Sequence, residues 1–204
     1  MHKAVIFDFD GTLADTMEDN FQAWKETVLT YGVFIDCEDY FPFEGMGLQD
    51  LIKKYKVPET AIKEKELYYL ANHKFRLYPG VLDLVGLLSA RKIPLGIVTA
   101  GLRDRIDKSV PQDFLDKFKV IVSGAMKPDP GCYLQAIKNL NVEECIVVEN
   151  APLGIRSAKS AGAYCIAICS TLGREHLVEA DEVLDSFDQL INSATIKKLI
   201  YDQL

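Results

Sequence analysis

No apolar run in this sequence approaches the roughly 20 residues that a membrane-spanning helix needs. Hydrophobic residues nevertheless fill 49% of the 204 positions and charged residues 26%, the composition of a globular fold with no membrane partner. Positive charge is also scarce. Lys+Arg number 23 against 30 for Asp+Glu, a net charge of −7, and no basic cluster marks a nucleic-acid face. The densest basic stretch, Lys53-Lys54-Tyr55-Lys56, reads as the solvated end of a helix. The N-terminus enters a strand by Lys3 without the basic, apolar, small-residue layout of a secretory signal, so a cytoplasmic protein is expected. The five cysteines are an odd number, and their spacing suits neither a zinc ribbon nor a redox pair. Cys165 and Cys169 share one apolar run; as strand residues they stand about 13 Å apart, beyond the roughly 7 Å reach of a disulfide. No internal repeat or low-complexity tract appears.

The chain opens on an apolar run, Ala4 to Phe7, that delivers two carboxylates, Asp8 and Asp10, into a Gly11-Thr12 turn. Alternate side chains of a strand leave on the same face, so both acids are placed to share a metal or a reacting phosphate. A polar turn after a strand is the ordinary alternative. Thr16 reads as the N-cap of a helix running to about Leu29, with Glu18 and Asp19 in its first turn, where the helix dipole favours negative charge. From there to Tyr78 no buried strand is evident. The segments Leu48 to Tyr55 and Thr60 to Phe75 carry apolar positions three and four apart, the spacing of helices. Twelve of the twenty aromatic residues lie between Phe21 and Tyr78, enough for a small core of their own. After Tyr78-Pro79-Gly80, helices alternate with short apolar strands at Leu95 to Thr99, Val120 to Ser123, Cys145 to Val148 and Tyr164 to Ile168. That is the pattern of a parallel sheet covered on both faces, and a further edge strand is expected near Glu182 to Leu184.

Open parallel sheets bind ligands beyond the carboxyl ends of their strands. Polar residues at those ends are therefore candidates: Thr99-Ala100-Gly101, Lys127 before Pro128-Asp129-Pro130, and Glu149-Asn150. Phosphoryl transfer to water asks for a nucleophile, a proton carrier, and cations or donors around the transferring oxygens, and this set offers each. Taken singly, Thr99 reads first as a strand-end residue bonding its own backbone and Lys127 as a surface lysine; together with the other strand-end residues the phosphate roles are favoured. Asn150, two residues before Pro152, reads equally as an organiser of a helix start.

The segment Val5-Ile6-Phe7-Asp8-Phe9-Asp10-Gly11-Thr12-Leu13-Ala14-Asp15-Thr16 resembles the first motif of the haloacid dehalogenase superfamily of phosphohydrolases, and Lys127-Pro128-Asp129-Pro130 is similar to its lysine motif. The run Ile146 to Ile155 looks like the β-phosphoglucomutase-like and phosphoglycolate phosphatase-like branch. The resemblance implies an α/β fold: a Rossmann-like three-layer parallel-sheet core, residues 1–15 and 79–204, with an inserted all-α helical cap at 16–78. It implies Asp8 as nucleophile forming an aspartyl-phosphate and Asp10 as proton carrier. Thr99 with Ala100 and Gly101 would hold phosphate, and Lys127 would clamp nucleophile and phosphate. Mg²⁺ would be held by Asp8, the Asp10 carbonyl and an acidic group after the fourth strand. There the branch carries two acids, whereas this chain has Glu149 and Asn150; an amide oxygen still ligates Mg²⁺ but removes one negative charge.

By the same resemblance, Asn20, Trp24, the loop Glu44-Gly45-Met46-Gly47 and His73-Lys74 would face substrate from the cap. Trp24 is more often core than a substrate platform, the loop glycines also read as a helix terminator, and His73, a single histidine on a charged helix, is expected at the surface. The implied substrate is a small phosphorylated metabolite and the expected assembly a monomer or weak homodimer. Related β-phosphoglucomutases place an arginine just after the loop glycine to clamp a second phosphate. Here Met46-Gly47-Leu48-Gln49-Asp50 follows, so hydrolysis is favoured over mutase chemistry, with Lys74 as a partial replacement for that charge. A phosphomutase and a non-catalytic binding protein of the same fold are the alternatives.

Overall fold

The structure is a computed structural model that describes residues 3–43 and 46–201. Its first strand, β1 (Lys3–Phe7), shows why the opening run is apolar throughout: Val5 and Phe7 enter one hydrophobic layer while Ala4 and Ile6 enter another. A strand buried on both faces reads as a continuous apolar run. Beside it lie β2 (Leu95–Val98) and β3 (Val120–Val122) on one side, and β4 (Glu144–Glu149), β5 (Tyr164–Ile168) and β6 (Glu182–Leu184) on the other. The order is β3-β2-β1-β4-β5-β6 and every pair is parallel. The chain builds outward from β1 to β3, then returns to lay β4 against the other edge of β1. Strand order reverses there, so a crevice opens at the carboxyl ends of β1 and β4. Phe7 is level with both Ile97 and Val148, which brings Asp8, Thr99 and Glu149 to one edge.

Between β1 and β2 the chain forms helices α1 (Met17–Leu29), α2 (Cys37–Tyr40), α3 (Leu48–Tyr55) and α4 (Thr60–Asn72), then α5 (Val81–Ala90) against the sheet. Met17, Phe21, Trp24 and Val28 of α1 recur every three or four residues, the spacing of one helix face. They pack with Tyr40, Leu51, Ile52 and Tyr55 in a cluster distinct from the two layers flanking the sheet. The chain leaves and re-enters the sheet side by side, with the Asp15 amide donating to the Arg76 carbonyl (2.9 Å) and the Tyr78 amide to the Leu13 carbonyl (3.1 Å). The remaining helices are α6 (Arg103–Ser109), α7 (Gln112–Leu115), α8 (Gly131–Leu140), α9 (Pro152–Ser160) and α10 (Ala194–Tyr201). Helices α8 and α9 cover one sheet face, and α5, α7 and α10 the other. Among the described residues no helix is long and apolar enough to cross a membrane.

Two local expectations are corrected. Thr16 precedes α1 but makes no side-chain capping bond; its hydroxyl donates instead to Asp10 Oδ1 at 2.7 Å. The helix expected to reach Phe75 stops at Asn72, because the chain turns extended at His73 and carries Phe75 to the sheet side, onto Phe114 (6.4 Å between ring centres).

Candidate active site

At the end of β1 the Asp8 amide donates to the Val148 carbonyl at 2.9 Å, which fixes the residue at the junction with β4. Its carboxylate accepts from Lys127 Nζ at 2.5 Å, and the same ammonium donates to Glu149 Oε1 at 2.6 Å. All three side chains are buried. Glu149 Oε1 also accepts from the Tyr133 hydroxyl (2.6 Å), and Oε2 from the amides of Asn150 (3.1 Å) and Ala151 (3.4 Å). One lysine thus stands between two carboxylates, and one of these is held from four directions. Burial pushes the Asp8 carboxyl up, Lys127 pulls it down and Glu149 raises it, leaving it at about 7. Burial alone would discharge Lys127, but its two carboxylate partners outweigh that and raise its proton affinity above the ordinary.

Gly154, on the first turns of α9, lies against the Glu149 carboxylate so closely that any Cβ would overlap it. Because four donors pin that carboxylate, it has nowhere to move. Gly154→Ala is expected to destabilise the protein by about 1–3 kcal/mol, read as a lower urea midpoint at unchanged slope.

Asp10 lies within a second set of partners. Oδ1 accepts from Thr16 Oγ1, from Asn20 Nδ2 (3.1 Å) and from Arg105 Nη1 (3.1 Å); Oδ2 accepts from Arg105 Nη2. Burial pushes the Asp10 carboxyl up, but the charge and hydrogen bonds of Arg105, with Thr16, overcome it and hold the value at about 2. Arg105 reaches Asp10 by passing over Gly101, where a Cβ would collide with the guanidinium. Asn20 Oδ1 accepts from Lys65 Nζ (2.7 Å), which also donates to Glu66 Oε1 (3.2 Å). Burial draws Lys65 down to about 8 although Glu66 opposes the change.

Thr99 is buried at the end of β2. Its Oγ1 accepts the Gly101 amide at 3.0 Å, as the ordinary reading of a strand-end threonine has it, and its own proton is left to point toward Asp10 Oδ2, 3.5 Å away. Ala100 and Gly101 line the same cavity as Asp8, Asp10 and Lys127. On the β4 side, Asn150 Oδ1 accepts from Thr12 Oγ1 (3.2 Å) and Nδ2 donates to Thr171 Oγ1 (3.0 Å). Among the described residues no group of three His, Cys, Asp or Glu could enclose a metal. What the edge offers is an all-oxygen set: the Asp8 carboxylate, the Asp10 carbonyl and the Asn150 amide oxygen. That donor chemistry fits Mg²⁺, which takes its remaining ligands from water and substrate oxygens. Glu149 is already engaged by Lys127, Tyr133 and two amides.

The structure therefore gathers Asp8, Asp10, Asn20, Thr99, Ala100, Gly101, Lys127, Glu149 and Asn150 at one sheet edge. Trp24 is 1% exposed, packed on Tyr55 within the helical cluster, with an edge on the cavity; it is core and wall together. Gly45 lies outside the described residues, while Met46 beside it lines the cavity. Two expectations are overturned. His73 is not a surface residue: its ring stacks on Tyr69 at 4.5 Å with Nδ1 3.4 Å from Asp19. Lys74 is exposed and does not line the cavity; the cations there besides Lys127 are Lys65 and Arg105. Sequence reading missed both of these and Glu66, because each sits in a charged stretch that resembles a solvated helix face.

Fold and site together define a parallel α/β enzyme built on paired carboxylates at a topological switch point. The chain belongs to the haloacid dehalogenase-like hydrolases, whose family model matches residues 5–168. It is 30% identical over 205 residues to the validoxylamine A 7'-phosphate phosphatase of Streptomyces hygroscopicus subsp. limoneus, across 93% of this chain and 96% of that protein. Among solved structures it resembles CbbY of Rhodobacter sphaeroides in complex with xylulose-(1,5)bisphosphate, with TM-score 0.79, 27% identity, and coverage of 93% of this chain and 96% of that one. It also resembles β-phosphoglucomutase from Clostridium difficile, with TM-score 0.83, 26% identity, and coverage of 100% and 98%.

Proposed function

We propose that this phosphoric monoester hydrolase of the haloacid dehalogenase type is a Mg²⁺-dependent phosphatase of a small phosphorylated metabolite, a sugar phosphate or a phosphoglycolate-like ester, with residues 16–78 as a cap. The observation that carries the reading is the Lys127 ammonium lying between Asp8 and Glu149 at the sheet's switch point. A buried lysine there aims the carboxylate and offsets charge as phosphate approaches. Asp8 attacks phosphorus; the bond to the leaving oxygen breaks and Asp10 supplies its proton. Water then attacks the aspartyl-phosphate, Asp10 takes a proton from it, and phosphate leaves with Asp8 restored. Thr99 donates its hydroxyl proton to a phosphate oxygen, oriented by the Gly101 amide that the same oxygen accepts. Asp10 as held by Arg105 is a carboxylate, the form that takes the proton from water in the second step; for the first step it carries the proton that goes to the leaving oxygen. Bound Mg²⁺, at Asp8, the Asp10 carbonyl and Asn150, would neutralise phosphate charge. The named activity of the Streptomyces relative supports hydrolysis of a phosphate monoester.

Phosphate release from p-nitrophenyl phosphate and from a panel of sugar phosphates and phosphoglycolate tests this reading. Release is expected with Mg²⁺ and to vanish with EDTA; no release from any of them would overturn it. Asn150→Asp is expected to lower the Mg²⁺ concentration for half-maximal rate several-fold by adding one negative charge. An unchanged Mg²⁺ titration would remove Asn150 from the metal site.

A further inference from the structure

One pair of charged atoms in this cavity is buried and unsatisfied. Arg105 Nε and Glu66 Oε2 have no hydrogen-bond partner among the described residues. They face each other across α6 and α4 at 3.6 Å, close enough to attract as charges and too far to hydrogen-bond. Neither side chain is free to close that gap. The two Nη atoms of Arg105 are engaged by Asp10, its guanidinium stacks over the Tyr69 ring at 4.7 Å, and Glu66 Oε1 is held by Lys65. Both residues line the cavity that also contains Asp8 and Lys127. Buried polar atoms are costly to leave unmade, so the pair describes the group that would complete it.

A donor and an acceptor side by side are satisfied together by a group that accepts and donates at once. An alcohol hydroxyl does so, accepting from Nε–H and donating to Oε2. A carboxylate or second phosphate only accepts, and would meet the Glu66 charge; an ammonium only donates, and would meet Arg105. The cavity lining already holds four carboxylates against three cations, Asp8, Asp10, Glu66 and Glu149 against Lys65, Arg105 and Lys127, so an additional anion beyond the transferring phosphate finds no unmatched cation.

We propose that Glu66 and Arg105 are specificity-determining residues that together bind one hydroxyl of the leaving group and select an uncharged polyol phosphate over a phosphate ester carrying a second anion. This rests on the reading of the site as one that binds a phosphate ester, and it narrows that reading away from phosphoglycolate-like acids. Sites built to bond a substrate hydroxyl discriminate strongly against analogues lacking it.

The test is binding, measured by calorimetry with Mg²⁺ on the full chain carrying Asp8→Asn to prevent turnover. The probes are sorbitol 6-phosphate, hexyl phosphate and 6-phosphogluconate. Sorbitol 6-phosphate is expected to bind at least tenfold tighter than either of the others. Glu66→Gln, which keeps shape and removes the charge, is expected to bring 6-phosphogluconate to within about threefold of sorbitol 6-phosphate. Arg105→Lys, which keeps charge and loses Nε, is expected to erase the preference over hexyl phosphate. Equal binding of sorbitol and hexyl phosphates, tighter binding of 6-phosphogluconate, or no binding of any probe at millimolar concentration overturns the proposal. If the selectivity appears but the unsubstituted protein releases no phosphate, the hydroxyl site stands and the phosphatase reading falls.

Discussion

Asp8→Asn is expected to cut phosphate release on the order of 10⁴-fold or more while leaving the protein folded. The amide keeps the size of the carboxylate but has no oxygen able to form and release an acyl-phosphate. Lys127 keeps Glu149, so no buried cation is stranded. Stability should even move in the variant's favour as pH rises. The Asp8 carboxyl sits at about 7 in the fold against an ordinary value of 3.8, so the folded state holds its proton more tightly than the unfolded chain. The contribution of Asp8 is then fully present below about pH 3.8 and is lost as pH rises through about 7. Asparagine carries no such loss. Urea midpoints at pH 5 and pH 8 should show the variant gaining on the parent protein between them. A release rate within tenfold of the parent's would remove Asp8 as nucleophile.

How much of this was legible beforehand depends on whether the signal was local. The apolar run Ala4 to Phe7 and the later strands could be read because both sheet faces are covered, and burial on both faces leaves no alternation to interpret. Asp8, Asp10, Thr99 and Lys127 could be read because strand ends in a parallel sheet converge wherever the residues between them go. Arg105, Lys65 and Glu66 could not. Helix α4 buries Lys65 and Glu66 together with Ala61 and Tyr69, so its inward face mixes charged with apolar residues, and its charged side chains become interior only when α1 and α6 pack around them. Arg105 reaches Asp10 across 95 residues of sequence. Thr16 misled for a different reason: the composition of a helix start was right, but its hydroxyl donates to the Asp10 carboxylate six residues upstream in place of capping α1.

Lys127→Met is expected to be the most destabilising single change at this site, by about 3–5 kcal/mol near pH 8, besides abolishing turnover. Methionine fills much of the aliphatic stem's volume, so the packing loss is small; the damage is electrostatic. Asp8 and Glu149 would remain buried side by side with no cation between them, and Glu149 would be left with Tyr133 and two amides alone. Without the ammonium, nothing offsets what burial and the neighbouring Glu149 charge do to Asp8, so its folded proton affinity rises further above its unfolded value. Stability in the variant is therefore present at low pH and lost as pH rises, and its deficit against the parent should be several times larger at pH 8 than at pH 5. Adding Asp8→Asn removes one of the stranded charges, so the double variant should recover about 1–3 kcal/mol relative to the sum of the two single losses. The four proteins, unfolded in urea at both pH values, complete the cycle. A deficit that is the same at pH 5 and pH 8, with strictly additive losses, would locate the cost in packing and remove Lys127 as the clamp between the two carboxylates.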